Sequence, residues 1–299
     1  MLLNVEKCLQ IWLVKMFYNY TEQFNIKNIN DFLPNTLMSR LFMLDEVLKI
    51  RGCSSRVILS SGIVHSLLFL NKTIDPLNKE NIYSFYDFWN KDLDFFLLPE
   101  IEENVLKYKD FSFFQFKNFD FLNPKYLFKH DDGMVFITES SYRECVLDID
   151  KSIVYTTKNY LKSVESDKMF PPSWYDGTIQ SMRIFLKNKF EEPLTCLCRA
   201  SIPNKGKVTD EIIPYLNHLM EYTKESLPGD LFYKYMTRFT LPPGVADFIN
   251  QNDFSDLWKN LVQDIVVLGD PFSWERKKLE EAYRNEARVG LLNYIELKE

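Results

Sequence analysis

Residues 56–70 read Arg56-Val57-Ile58-Leu59-Ser60-Ser61-Gly62-Ile63-Val64-His65-Ser66-Leu67-Leu68-Phe69-Leu70, and the stretch changes character halfway. Its first half is a β-branched apolar run that stops at two serines and a glycine, which predicts a buried strand closing in a turn. Its second half is apolar at helical density. The first backbone N–H groups of a helix that starts at such a turn have no intrahelical acceptor. Strand, turn, helix is the reading, and it sets a fold class that mixes sheet with helix.

Downstream, Lys91-Asp92-Leu93-Asp94-Phe95-Phe96-Leu97-Leu98-Pro99 predicts a second buried strand, stopped by proline. Further strands are expected over Phe111–Phe119, Met134–Thr138 and Glu144–Thr157, with turns at Asn123-Pro124 and Asp131-Asp132-Gly133. Upstream, Leu2, Val5, Leu9 and Leu13, then Leu37, Leu41, Leu44 and Leu48 beyond Pro34, recur at helical spacing and predict at least two helices. Past Pro171-Pro172 the pattern is helical: one helix over Thr178–Phe190, and others beyond Gly206, broken at Pro228-Gly229, Pro242-Pro243-Gly244 and Gly269-Asp270-Pro271. The expected organisation is α+β. It has an N-terminal helical segment over 1–50, a small mixed-sheet α/β core over 51–170 and a helical C-terminal part over 171–299.

Composition narrows the chemistry. The 299 residues include 46% hydrophobic side chains, enough for a full core. Lys and Arg number 36 against 42 Asp and Glu, a net charge of −6, which disfavours a protein held on long nucleic acid by charge alone. The 9 glycines are so dispersed that neither G-x-G-x-x-G nor G-x-x-x-x-G-K can be written. Rossmann cofactor enzymes, P-loop NTPases and ordinary protein kinases are thereby excluded.

The 5 cysteines are scattered, as in a reducing compartment, and Cys196-Leu197-Cys198 lacks the second pair that a zinc site wants. No apolar run approaches the ~18 residues needed to cross a bilayer, and the N-terminus is charged where a signal peptide is apolar. A cytoplasmic location and no membrane partner are the expectation. Heavy use of Asn, Lys, Ile, Phe and Tyr suggests an AT-rich, viral source.

Asp92 and Asp94 are two apart on an expected strand, so both carboxylates project from one face while Leu93 and Phe95 point into the core. Paired carboxylates repel unless a divalent cation lies between them, and hard oxygen donors suit Mg²⁺ or Mn²⁺. Ser60, Ser61 and Gly62 offer hydroxyls and helix-start N–H groups to a phosphate. Cys145-Val146-Leu147-Asp148-Ile149-Asp150 is a later acidic strand whose Asp148 offers a third carboxylate. Each feature alone has a plainer reading. These are a solvated strand-end pair, a serine N-cap, and a strand entering a turn at Asp150-Lys151-Ser152.

Taken in order over roughly residues 56–190, these motifs resemble the nucleotidyltransferase superfamily typified by DNA polymerase β and the poly(A) and tRNA-CCA polymerases. The family carries Gly-Ser or Gly-Gly where this chain has Ser61-Gly62, and residues 71–90 form an added connection before Asp92. The resemblance implies a minimal mixed sheet with Asp92 and Asp94 as a metal pair and Asp148 as third carboxylate. It places Ser60, Ser61 and Gly62 at the triphosphate, with Arg183 or Lys187 on the later helix facing it. It also implies Mg²⁺ (or Mn²⁺), an NTP such as ATP, and an acceptor hydroxyl on an RNA end, a protein or a small molecule.

The alternative is a non-catalytic viral or phage interaction or assembly protein built on a degenerate core of this type. Tyr83–Trp89 would then be its surface for a protein partner. His65 is expected to be a satisfied core histidine, the Phe111–Phe116 aromatics core packing, and Trp274–Glu281 a solvated helix face.

Overall fold

Alternation along two strands sorts their side chains between two cores. In β2 (Arg56–Ser60), Val57 and Leu59 face a layer of helices, whereas Ile58 faces the other way. In β3 (Leu93–Leu98), Leu93, Phe95 and Leu97 share the helix side, and Phe96 and Leu98 lie opposite. The computed structural model describes residues 21–50, 52–53, 55–71, 88, 92–98, 119–122, 126–130, 133–166, 168–186, 209–236 and 245–267.

The remaining strands are β1 (Thr21–Asn25), β4 (Phe119–Phe121), β5 (Leu127–His130), β6 (Gly133–Phe136), β7 (Cys145–Asp148) and β8 (Ile153–Thr157). Of the eight described strands, six form one mixed sheet in the order β1-β8-β7-β2-β3-β4, while β5 and β6 pair as a separate two-stranded sheet. Every pairing in the large sheet is antiparallel except β3 with β4, which is parallel. A parallel pair cannot be closed by a tight turn, and residues 99–118 separate β3 from β4 in the sequence.

The helices of the first part are α1 (Ile29–Phe32), α2 (Asn35–Ile50), α3 (Gly62–Leu70) and α4 (Lys158–Ser166). Leu37, Leu44 and Leu48 of α2, Val64 and Leu67 of α3, and Tyr160 and Val164 of α4 cover the helix face of the sheet. Leu127, Met134 and Phe136 of the β5–β6 pair cover the other face at Ile58, Phe96, Val146 and Tyr155.

The chain divides into two compact units, Met1–Asp167 with Pro172–Trp174, and Lys168–Pro171 with Tyr175–Glu299. The three-residue insertion of the first unit is pinned at two points. Trp174, fully buried, donates its indole N–H to the Thr138 carbonyl at 2.7 Å. Ser173 donates from N and Oγ to the buried carboxyl of Glu144 at 2.7 and 2.9 Å, and Thr157 Oγ1 donates to the same carboxyl at 2.6 Å. Burial pushes the Glu144 carboxyl up to about 8 against those three hydrogen bonds.

The second unit is helical among its described residues: α5 (Ile179–Phe185), α6 (Ile212–Ser226), α7 (Gly229–Met236), α8 (Val245–Gln251) and α9 (Asp256–Val267). Thr178 caps α5 through its side chain, and Met182 and Phe185 are buried. Tyr215, Leu216, Leu219 and Met220 form the buried stripe of α6, and Trp258 of α9 donates its indole N–H to the Leu216 carbonyl.

The α+β class, the strand–turn–helix unit and the helical C-terminal character agree with the sequence reading. The N-terminal segment differs from it. Thr21–Asn25 is a strand, paired with β8 from Thr21 opposite Thr157 to Asn25 opposite Ile153, so residues 21–50 belong to the sheet unit and are not a separate helical segment. A five-residue polar stretch with one apolar side chain has no strand signature of its own; the open edge of β8 makes it a strand. Residues 1–20, Phe111–Phe116, the Asn123-Pro124 turn, Cys196, Cys198, Pro242–Gly244, Gly269–Pro271 and 274–281 lie outside the described residues, as does all of Tyr83–Trp89 but Phe88. Among the described residues no helix is long and apolar enough to cross a membrane.

Candidate active site

The turn after β2 is held at a backbone conformation that side chains rarely adopt. Ser61 has φ 60° and ψ −135°. Its N–H donates to the Cys145 carbonyl at 3.0 Å, and the Cys145 thiol returns a contact to the Ser61 carbonyl at 3.4 Å. The start of β7 therefore clamps the turn. The Ser61 hydroxyl does not cap α3; it accepts from Arg143 Nε at 2.9 Å. A non-glycine residue in this region costs about 1–3 kcal/mol. Ser61→Gly is accordingly expected to be more stable than Ser61→Ala by about 1 kcal/mol in urea unfolding, since both lack the hydroxyl and only alanine keeps a Cβ there. Equal stabilities would show that the turn is unstrained.

Three aspartates gather beyond this turn. Ser60, fully buried, donates its hydroxyl to the Asp94 carbonyl at 3.4 Å, continuing the β2–β3 register one step past Leu59 opposite Phe95. On the other flank Asp94 lies directly opposite Asp120 of β4. Adjacent parallel strands stand ~4.8 Å apart, so the two side chains leave the same face side by side. Leu93, Phe95 and Phe119, all buried on the opposite face, fix that orientation. Asp92 precedes β3 and is exposed. Asp120 keeps solvent contact; partial burial and then the charge of Asp92 raise its carboxyl, and Arg143 pulls it down.

Arg143 enters this cluster from the 3₁₀ turn Ser141–Arg143 that joins β6 to β7. Its Nη2 stands 3.5 Å from Asp94 Oδ2, and its Nη1 is 2.5 Å from Oε1 of the buried Glu139. The Thr138 hydroxyl donates to the second Glu139 oxygen at 2.9 Å. One guanidinium thus spans Ser61, Asp94 and Glu139, and its charge reaches Asp120.

The other expected site residues stand elsewhere or lie outside the described residues. Asp148 pairs opposite Ile58, on the same sheet face as Asp94 but two strands and two residues away. Strand geometry makes that roughly 12 Å between Cα atoms. Its buried carboxylate accepts from the Lys151 N–H at 3.2 Å and stands 3.5 Å from Arg56 Nη2. Burial raises its pKa, and the Lys151 N–H and Arg56 oppose that. Asp148 is a buried strand-end carboxylate beside a turn, and the carboxylate that stands beside Asp94 is Asp120. Arg183 is an exposed residue of the second unit, forked onto both oxygens of Glu225 at 2.6 and 2.8 Å. Lys187 lies outside the described residues. His65 is satisfied as a core histidine, its Nδ1 2.7 Å from the Tyr160 hydroxyl.

Asp120, Glu139 and Arg143 are the members that the sequence reading missed. For Asp120 the signal is Phe119-Asp120-Phe121, the same apolar–Asp–apolar alternation as Leu93-Asp94-Phe95. Asp92, Asp94 and Asp120 offer hard oxygen donors that fit Mg²⁺ or Mn²⁺ chemically. Among the described residues, no three or more His, Cys, Asp or Glu side chains stand close enough together to hold an ion in their present rotamers. Asp94 is turned onto Arg143 instead. No family model matches the chain, and neither a curated protein nor a solved structure shows significant similarity to it.

Proposed function

We propose that the chain is a metal-dependent nucleotidyltransferase. It would move a nucleoside monophosphate from an NTP to an acceptor hydroxyl on an RNA end, a protein or a small molecule. The observation that carries this reading is the direct pairing of Asp94 with Asp120 on neighbouring strands, beside the Ser61 turn that opens α3. Asp92, Asp94 and Asp120 would hold Mg²⁺ (or Mn²⁺), which when bound offsets charge on the triphosphate and acidifies the acceptor hydroxyl.

The protein's own groups do the rest. The first N–H groups of α3 and the Ser61 hydroxyl would donate to phosphate oxygens, as helix starts do, whereas Ser60, buried and donating to the Asp94 carbonyl, only braces the turn. Asp120, which keeps solvent contact beside Asp94, would accept the acceptor's proton. The β5–β6 pair closes the sheet face behind Phe96 and so keeps water from one side of the cleft. A cytoplasmic location belongs to the same proposal.

Mn²⁺ or Mg²⁺ together with an NTP should raise the melting temperature, as binding at ~100 times Kd adds about 2.7 kcal/mol to the folded state. Asp94→Ala should lose that shift. The absence of any shift with every NTP would favour the non-catalytic reading, in which Arg143 permanently neutralises a degenerate cluster and the protein works by binding a partner. The placement of Arg143 on Asp94 is the observation behind that second reading.

A further inference from the structure

Arg143 is held by groups that a loaded site would use differently. Its Nη2 lies 3.5 Å from Asp94, a carboxylate the proposed reaction needs for a cation. Its Nε lies 2.9 Å from the hydroxyl of Ser61, the residue placed at the phosphates. Its anchor is Glu139, 2% exposed, which contacts Nη1 at 2.5 Å and has its other oxygen occupied by Thr138. A guanidinium is a planar fork that suits a carboxylate and a phosphate equally well and stays charged throughout. A divalent ion on Asp94 and the guanidinium in its present position repel each other at short range.

We propose that Arg143 is an exchangeable cation. With the cleft empty it closes onto Asp94, and when nucleotide arrives it passes from Asp94 to the triphosphate while staying hinged on Glu139. This rests on the nucleotidyltransferase reading and names the residue that discriminates a triphosphate from a bare metal ion. Arg143 then opposes metal binding on its own and assists binding of the metal–nucleotide pair. Premature occupation of the cleft by a free ion is disfavoured, and the triphosphate finds a fork already aimed at the helix start.

The test is a difference in sign. Mn²⁺ binding is followed by the electron paramagnetic resonance of the free ion. Binding of α,β-methylene ribonucleoside triphosphates is followed calorimetrically in excess Mg²⁺. Arg143→Gln should bind Mn²⁺ alone about ten-fold more tightly than the wild type and the nucleotide analogue about ten-fold more weakly. Arg143→Lys, which keeps the charge and loses the fork, should hold Mn²⁺ like the wild type and still bind nucleotide less well. Thermal melts of each variant without ligand check folding.

Changes of one sign in both measurements overturn the exchange, as does no change in either. Tighter binding of both would mean a mere plug, and weaker binding of both a structural arginine. The underlying reading fails separately. That result is Mn²⁺ binding by the wild type that survives Asp94→Ala, or no binding of either probe.

Discussion

Asp120→Asn is expected to lower transfer of labelled nucleoside monophosphate to an acceptor pool by about 10³-fold, while Asp148→Asn leaves it within a few-fold of the wild type. Both are single acid-to-amide changes on strands of the same sheet, so register alone separates them. Asp120 lies opposite Asp94, whereas Asp148 lies opposite Ile58 with Phe96 beyond it on β3. Asparagine preserves the shape of Asp120 and removes the charge that a divalent ion and an acceptor proton both require. In Asp148→Asn the loss falls on the contact with Arg56 and the turn at Lys151, and it should be read in unfolding experiments. Retained transfer in Asp120→Asn, with loss in Asp148→Asn, would return the third carboxylate to β7.

A second large effect concerns Glu144 and runs through pH. Its ordinary carboxyl value is 4.5, and burial raises it to about 8 in the folded chain. Between those values the folded protein keeps a proton that the unfolded chain has given up. The stability from this group is therefore complete below about pH 4.5 and is lost as pH rises through about 8. The slope is at most about 1.4 kcal/mol per pH unit, so several kcal/mol are at stake across the window.

Glu144→Gln imitates the protonated acid, and its urea-unfolding free energy should be flatter between pH 5 and pH 8 by a few kcal/mol. Glu144→Ala should be destabilised by about 3 kcal/mol near pH 5, because Thr157 Oγ1 and both Ser173 donors lose a buried acceptor, and its deficit against the wild type should shrink as pH rises towards 8. Parallel pH profiles for wild type and Glu144→Gln would refute the assignment.

The parts of the site that were legible in the sequence are those set by local alternation. Leu93 and Phe95 go inward and Asp94 outward because a strand has a period of two, and Ser60-Ser61-Gly62 announces a turn because apolar strand meets apolar helix there. Which carboxylate stands beside Asp94 depends on which strand lies beside β3, and no local pattern encodes that. β7 carries the more conspicuous acidic run but pairs with β2, whereas β4 reaches β3 through a parallel pairing after residues 99–118. Phe119-Asp120-Phe121 also follows an aromatic run that reads as core, which hid the aspartate between two core side chains. Arg143 was beyond reach for a related reason. It comes from a 3₁₀ turn, where neither helical nor strand periodicity assigns a direction. The helical second unit was legible throughout its described residues because caps, prolines and apolar stripes act locally there.

β4 is three residues long, and among the described strands it is paired on one side only. Backbone hydrogen exchange at such a margin proceeds through local fraying, well before the sheet as a whole opens. The carboxylate proposed to complete the cleft therefore rides on a strand that detaches readily, and its attachment is a variable that a bound nucleotide would set. In deuterium, Phe119–Phe121 amides should exchange faster than those of Phe95–Leu97 in the empty protein and approach them when metal and nucleotide are added. Occupancy of the cleft would then be readable as protection at a strand margin, without any turnover having taken place.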